Sequence, residues 1–387
     1  MKQPKTLFTV VLLVLIAALL ASCGAPAAQQ TPEPQAPAAE ATQPAAPAAE
    51  ATQPAAPAEG GQEGPFTIGV SNSFVGSEYR TQMIDVLEEV NAEFQAQGLT
   101  NDLVIESATT DVAGQIQQIQ NLINRGVDAI IVNPGDVEGL NATLEEAVNQ
   151  GIVVIAIDQE IGAEGVYNVA IDQKEWATIS ARWLAEKLGG QGDIVLIEGF
   201  VGHPANVARM EGVEEVLSEF PDINVVGRDS GMWDEATGQQ VMSNFLASFP
   251  NLDGYWTQDG MAIGAFQAVQ AANLEEWPQP VGEGRVAFLK LWAEALETQP
   301  DFETIAVANP PGVAGSGLRI AVELLQGRQV DSSKLAGPWG NTLYMPIPVV
   351  VTKDNFQQVY EEYQDRPDSY LLDGILTQEE VQQFFQQ

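Results

Sequence analysis

Cysteine and histidine are almost absent from this sequence of 387 residues, in which Cys23 and His203 are the single members of their kinds. One cysteine cannot form a disulfide within the chain, and a zinc site of several Cys and His ligands is excluded as well. A lone histidine among scattered serines is weak support for a catalytic triad, which is recognised by geometry. We therefore predict no metal site.

Basic residues are also scarce. The chain has 16 Lys and Arg against 53 Asp and Glu, which gives a formal net charge of −37 at pH 7. Affinity for nucleic acid depends on Lys and Arg contacts to phosphate, so nucleic acid is not expected as a partner. The same negative field disfavours anionic substrates, although a local arginine could override it.

The motifs of common catalytic sites are missing. No G-x-x-x-x-G-K-[ST] phosphate loop occurs, and Ala287 replaces the third glycine of a dinucleotide motif that Gly282 and Gly284 begin. We predict no cofactor and no enzymatic activity. Spacing alone leaves one alternative open, a secreted glycosidase with a pair of carboxylates.

The start of the chain is typical of an exported protein. An apolar run from Leu7 to Leu20 is shorter than the roughly 20 residues of a transmembrane helix, so we interpret residues 1–22 as a signal peptide. The sequence Leu20-Ala21-Ser22-Cys23 resembles the lipobox of bacterial lipoproteins. That resemblance implies that Cys23 becomes a lipidated amino terminus.

Residues 23–65 are predicted to be a disordered linker. They consist mainly of Ala, Pro, Gln, Glu and Thr, and Pro37–Ala46 is repeated letter for letter at Pro47–Ala56. A segment without apolar periodicity cannot bury a core. We expect the protein to be extracytoplasmic, with the lipid at Cys23 as its link to the membrane.

From Phe66 onward, short β-branched runs alternate with amphipathic stretches. The run 127–133 (VDAIIVN) is apolar on both alternations, as a strand covered by helices on two faces must be. Repeated β-α-β units predict parallel sheets. Two such series, before and after Asp172, indicate an α/β fold of two doubly wound, Rossmann-like lobes.

Ligands of doubly wound sheets bind at the carboxyl ends of the strands, and there the chain has carboxylates, amides, arginine and aromatic rings. Such groups match vicinal hydroxyls and the apolar face of a sugar. The candidate ligand-binding residues are Asn72, Phe74, Tyr79, Arg80, Asp158, Gln159, Asn206, Trp233, Gln258 and Asp259.

Residues from Phe66 to about Arg328 resemble the sugar-binding lipoproteins and periplasmic proteins of ABC importers, the type I fold of the ribose-binding group. The stretches that carry the resemblance are FTIGVSNS (66–73), GVDAIIVNPGD (126–136), VVIAIDQ (153–159), GHPANVARMEG (202–212) and TQDGMAIGAFQAV (257–269).

The resemblance implies two lobes joined by a hinge, which close over one sugar and then dock on ABC permease subunits in the membrane. The implied lobes are 66–172 plus 310–336, the N-terminal lobe, and 173–309 plus 337–387, the C-terminal lobe. We expect a monomer.

Individual roles also come from the resemblance. Asp158 matches an aspartate that binds sugar hydroxyls, and Gln159 replaces the arginine usual in ribose binders. Glu283 and Asn309 lie beside positions that bind sugar in relatives. A monosaccharide or small polyol is therefore implied, but not ribose itself. A nucleoside or another non-sugar solute stays open as the alternative.

Overall fold

The structure is a computed structural model, and it describes residues 63–386. The predicted signal peptide, Cys23 and the linker as far as residue 62 lie outside the described residues. Within the described part, no helix is long and apolar enough to span a bilayer.

The strands and helices alternate along most of the described chain. The strands are β1 Ile68–Asn72, β2 Val104–Ser107, β3 Ala129–Asn133, β4 Val153–Ile157, β5 Tyr167–Ala170, β6 Gln191–Glu198, β7 Asp222–Ser230, β8 Gly254–Thr257, β9 Gln279–Pro280, β10 Ala306–Val307, β11 Thr342–Tyr344 and β12 Val350–Val351. The α-helices are α1 Glu78–Ala96, α2 Val112–Asn124, α3 Asn141–Asn149, α4 Gln173–Lys187, α5 Pro204–Ser218, α6 Glu235–Ser248, α7 Ala262–Ala271, α8 Val286–Thr298, α9 Val313–Leu325, α10 Phe356–Tyr363 and α11 Gln378–Gln382.

Six strands form the first sheet, in the order β11-β5-β4-β3-β1-β2, and every neighbouring pair is parallel. Strands β1 and β3 are buried along their whole length, because helices pack on both faces. We call this sheet, with α1, α2, α3, α9 and α11, the first lobe. Side chains cap the starts of two of its helices, Ser77 at α1 and Asp111 at α2.

Four strands form the second sheet, in the order β7-β6-β8-β9, again all parallel. Helices α4 to α8 pack around it, β10 and β12 form an antiparallel pair, and α10 packs on α8. We call this group the second lobe. The two parallel sheets confirm the predicted α/β class.

The last fifty residues depart from the sequence-based lobe assignment, which places 337–387 in the second lobe. Strand β11 instead pairs with β5 at the edge of the first sheet. After β12 and α10 the chain returns to the first lobe, where Leu376 N donates to Ser316 Oγ of α9 at 3.0 Å and Gln386 N donates to Gln329 O at 2.9 Å. The physical reason for the first departure is that β11 covers the backbone groups of β5, which would otherwise lie at an open edge.

Two buried asparagines hold β11 in this place. Asn168 on β5 donates through Nδ2 to Asn341 Oδ1 at 2.7 Å, and its Oδ1 accepts from Ile161 N at 3.1 Å. Asn341 in turn donates to the carbonyls of Ile161 and Val166, both at 3.0 Å. The bonds join positions 173 residues apart in sequence, so they specify where the tail attaches.

We expect Asn168→Leu to lower the free energy of unfolding by about 2–4 kcal/mol, because it leaves several buried backbone and amide groups without partners. Chemical denaturation measures the loss. The matched control is Asn149→Leu at the exposed end of α3, which should stay within about 0.5 kcal/mol of the wild type. Equal losses in the two variants would contradict the assigned role of Asn168.

Candidate ligand-binding site

Two asparagines lie side by side at the carboxyl edge of the first sheet. Asn72 ends β1, Asn133 ends β3, and they are register partners with 1% exposure each. Asn72 Nδ2 donates to Phe74 O at 2.7 Å and to Ser107 Oγ at 3.0 Å. Among the described residues, neither Asn72 Oδ1 nor Asn133 Oδ1 accepts a hydrogen bond. This edge therefore has two buried acceptors available for an added donor.

Asp158 follows β4 in a strained turn. Its φ is 69°, in the left-handed region that non-glycine residues rarely occupy, and Gln159 N donates to Ile157 O at 2.7 Å around it. Such strain persists only where the surroundings enforce it, and it often marks functional sites. The turn keeps the carboxylate buried at the sheet edge, at 8% exposure.

Four donors surround the Asp158 carboxylate. Tyr79 OH donates to Oδ1 at 3.0 Å, whereas Gln159 Nε2 and Asn133 Nδ2 donate to Oδ2 at 3.2 and 3.4 Å. Arg80 Nη2 lies 3.5 Å from Oδ2. Burial, and after it the charge of Asp158, raise the pKa of Tyr79 well above its ordinary value of 10, so the phenol remains a donor. These five residues are the first-lobe cluster.

A second cluster lies in the second lobe around the buried Arg209 of α5. Its Nη1 lies 3.1 Å from Asp259 Oδ2 and donates to Gln258 Oε1 at 3.2 Å, and its Nε donates to Gln173 Oε1 at 2.8 Å. The guanidinium also lies 4.0 Å from the ring centre of Trp176. Burial raises the pKa of Asp259, and the nearby Arg209 opposes that rise. Gln173, Arg209, Trp233, Gln258 and Asp259 form the second-lobe cluster.

Trp233 provides a half-buried aromatic wall at the second-lobe cluster. Its Nε1 donates to Gln258 Oε1 at 2.8 Å, and its ring makes edge contacts with Phe200 and His203 at centroid distances of 5.3 and 4.8 Å. The residue has a φ of 52°, so its backbone is strained as well. A Cβ at Gly199 would lie 2.1 Å from the ring, so only glycine fits beneath it.

His203 has a structural place beside this wall. Its Nδ1 accepts from Ala205 N at 3.3 Å and caps α5. Burial lowers the pKa of its imidazole, which favours the neutral ring that can accept this bond.

A third group joins the two lobes at the edge of the site. Glu283 follows β9, and its Oε1 lies 2.8 Å from Arg285 Nε. Arg285 Nη1 donates across to Glu78 Oε2 of α1 at 3.3 Å. Burial, and after it the charge of Asp259, raise the pKa of Glu283 to about 7, although Arg285 opposes the rise.

The structure places most of the predicted site residues in these groups. Asn309 joins through its Oδ1, which accepts from Gln173 Nε2 at 3.3 Å, and Asn206 through a bond from Gln258. Phe74 is different, because it is 43% exposed on the loop after β1. Its position after β1 suggested the site, but the loop turns the ring outward.

Five residues of these groups are not among the predicted site residues, namely Glu78, Asn133, Gln173, Arg209 and Arg285. Asn133 is the last residue of the run 127–133, and its place at the end of an apolar strand was signal enough to find it. The other four lie at or near the start of helices that follow strands, where sequence does not show which side chains face inward.

A cavity of about 1030 Å³ lies next to the clusters, between α1, the loop 233–235, Arg285 and the tail segment 366–375. Its lining includes Trp233 and Glu78 but not Asp158, Arg209 or Gln258. The clusters differ from the cavity wall, because their polar groups are buried and converge, whereas much of the cavity wall is exposed side chains. Residues 63–386 contain no set of three or more His, Cys, Asp and Glu that could hold a metal ion.

We expect Glu283 to make the protein less stable as the pH rises. Its folded-state pKa of about 7 exceeds the ordinary 4.5, so its stabilising contribution is complete below about pH 4.5 and is lost as pH rises through 7. Between pH 5 and pH 8 the wild type should lose about 2–3 kcal/mol that Glu283→Gln does not lose. Denaturation at both pH values measures the difference.

The control for this experiment is Glu297→Gln, a change at an exposed position of α8. It should retain the wild-type dependence on pH. A Glu283→Gln variant with the same pH dependence as the wild type would show that this carboxyl is not the titrating group.

Comparisons with known proteins agree with this architecture. Residues 68–329 match the model of the periplasmic binding protein domain. The xylitol-binding protein of Mycolicibacterium smegmatis is 30% identical over 285 residues, which cover 72% of this chain and 77% of the relative. The ribose import binding protein of Bacillus subtilis is 28% identical over 215 residues, 55% of this chain and 68% of the relative.

Solved structures give the same result. An ABC transporter solute binding protein from Thermobispora bispora superposes with a TM-score of 0.70 at 25% identity, covering 82% of this chain and 94% of that one. One from Bacillus halodurans with bound myo-inositol has a TM-score of 0.64 at 25% identity, covering 78% and 100%. The chain therefore belongs to the periplasmic binding protein family and has the type I fold of its ribose-binding group.

Proposed function

We propose that this protein is the substrate-binding component of an ABC importer and captures a monosaccharide or small polyol between its two lobes. The observation that carries the proposal is the convergence of buried carboxylate, amide, arginine and aromatic groups from both sheets. Relatives named for xylitol and ribose, and a similar structure with bound myo-inositol, support this ligand class.

The charges of the site favour a neutral ligand. Asp158 faces Arg80, Asp259 faces Arg209, and Arg285 lies within ion-pair distance of both Glu283 and Glu78. Because each of these arginines is already paired with a carboxylate, a charged ligand would find no unpaired charge to bind. It would lose its hydration without compensation. A polyol brings only hydroxyls, each of which can donate and accept.

The carboxyl edge of the first sheet offers acceptors for such hydroxyls. The free acceptors on Asn72 and Asn133 can receive them. At Asp158 the contacts to Arg80 and Asn133 are the longest, at 3.5 and 3.4 Å, and are the ones that a closer hydroxyl can replace. Tyr79 and Trp233 then cover the apolar face of the guest from opposite lobes.

The family consists of transport binding proteins, and enzymatic activity is not part of the proposal. The lobes are 66–172 with 310–345 and 374–386, and 173–309 with 346–373, so the chain crosses between them four times. Movement at these crossings closes the lobes over the ligand, and the closed monomer delivers it to the permease. The protein acts outside the cytoplasm, anchored by lipid at Cys23.

The ligand class is tested by titrating the protein with pentoses, hexoses, alditols and inositols, followed by tryptophan fluorescence and thermal unfolding. A ligand at a hundredfold excess over its Kd should stabilise the protein by about 2.7 kcal/mol. Nucleosides are included as competitors. Stabilisation by nucleosides alone, or by no member of the panel, would overturn the sugar or polyol assignment.

Asp158→Asn should weaken binding of the best ligand by at least about tenfold, because the neutral amide loses the charge-assisted bonds and places an N–H towards neighbouring donors. Isothermal titration measures the affinity. Asp111→Asn, which keeps the cap of α2 because Asn also caps helices, is the matched control and should bind normally. Wild-type affinity in Asp158→Asn would place the site elsewhere.

Lipid anchoring is tested by expressing the full chain in a bacterium and separating membranes from soluble material. The wild type and a Ser22→Ala control should be in the membrane fraction. Cys23→Ala should move to the soluble fraction or retain its leader uncleaved, because no thiol is left for a lipid. Membrane association of a processed Cys23→Ala protein would exclude this anchor.

A further inference from the structure

A chain of hydrogen bonds runs from the surface of the second lobe to the aromatic wall of the site. Arg228 on β7 binds Glu198 at the end of β6 through two contacts, Nε to Oε1 at 2.7 Å and Nη2 to Oε2 at 3.1 Å. Asn206 Nδ2 donates to Glu198 Oε2 at 2.8 Å, and Gln258 Nε2 donates to Asn206 Oδ1 at 2.7 Å. We call these four residues the relay.

The relay ends at the site. Gln258 Oε1 accepts from Trp233 Nε1 at 2.8 Å and from Arg209 Nη1 at 3.2 Å. Indole and guanidinium groups can only donate, and an ionised carboxylate can only accept. The bonds that lead from Trp233 and Arg209 through Gln258 and Asn206 therefore all point towards Glu198, and Arg228 donates to the same carboxylate from the other side.

This shared direction fixes the orientation of the Asn206 and Gln258 amides. If the amide of Asn206 were turned over, its NH₂ would face the N–H of Gly199, which now donates to Oδ1 at 2.8 Å, and its oxygen would face Glu198. A flipped Gln258 would set its NH₂ against the donors of Trp233 and Arg209. In a region where Asn206 and Gln258 are at most 2% exposed, water cannot relieve such conflicts.

The carboxylate must be ionised for this arrangement. Burial by itself would raise the pKa of Glu198, but the hydrogen bonds from Arg228 and Asn206 outweigh it and leave the pKa below the ordinary value. Arg228 touches neither cluster, so its effect on the site passes through Glu198.

We propose that Glu198 and Arg228 are positioning residues, which fix the amides of Asn206 and Gln258 and thereby hold the Trp233 ring and the Arg209 guanidinium ready for the ligand. The inference rests on the proposed function for its meaning, but the relay itself can be tested without any ligand. Neither Glu198 nor Arg228 is among the site residues predicted from the sequence or from the family resemblance.

The direct test uses Glu198→Gln, which keeps the shape and removes the obligatory acceptor. In protein labelled with ¹⁵N-tryptophan, the indole N–H signal of Trp233, assigned with Trp233→Phe, should exchange with solvent at least about tenfold faster in the variant. Affinity for the best ligand of the panel should fall by a similar factor. Glu214→Gln is the matched control, because Glu214 is the other, exposed carboxylate partner of Arg228, at 2.7 Å, and lies outside the relay.

A compensating variant distinguishes loss of the amide orientation from a general loss of stability. In Glu198→Gln/Asn206→Asp the acceptor-only group moves one place along the relay, so Gln258 donates to a carboxylate at position 206 instead of to the amide oxygen of Asn206. This double variant should recover most of the slow indole exchange and of the affinity. If Glu198→Gln does not fold, Arg228→Gln at its half-exposed position should show the same changes with smaller size.

Unchanged indole exchange in both Glu198→Gln and Arg228→Gln would overturn the proposal, and so would a double variant no better than the single one. The proposed function fails separately, when the wild type binds no sugar or polyol. The indole measurement still decides the relay in that case.

Discussion

The constraint on which the site depends is the need to satisfy a buried carboxylate at the end of a strand. Asp158 is 8% exposed and ionisable, and an uncompensated charge there would destabilise the fold severely. Its compensation brings together α1, through Tyr79 and Arg80, with Asn133 at the end of β3. The same contacts that make the charge tolerable therefore assemble a polar surface at the sheet edge.

The second lobe buries a charge of the opposite sign, the guanidinium of Arg209. Arg209 uses the carboxylate of Asp259 and two amides, and the Trp176 ring covers its face. The site is thus locally balanced in a chain of net charge −37. That contrast matters physically, because the general field repels anions while the paired site gives no advantage to cations.

The sequence was sufficient to predict the α/β fold and the position of Asp158, but not the position of the tail. Asp158 follows a wholly apolar run with no helix-cap pattern after it, so its place at a sheet edge could be read directly. Strand β11 could not be predicted, because three residues show no periodicity and the Asn168–Asn341 bond that places it joins distant segments. Arg209 is not among the predicted site residues, because spacing does not tell which helical side chain reaches a neighbour's amide.

Each of the two clusters contains one residue with a strained backbone. Asp158 and Trp233 both occupy the left-handed region, one in each lobe, and each such residue costs about 1–3 kcal/mol. The offsetting interactions are the hydrogen bonds of the clusters, since they engage the side chains of these same two residues. The folded protein therefore already holds these two residues in their strained conformations before a ligand binds. A ligand meets groups that are already oriented, and less of its binding free energy is lost in ordering them.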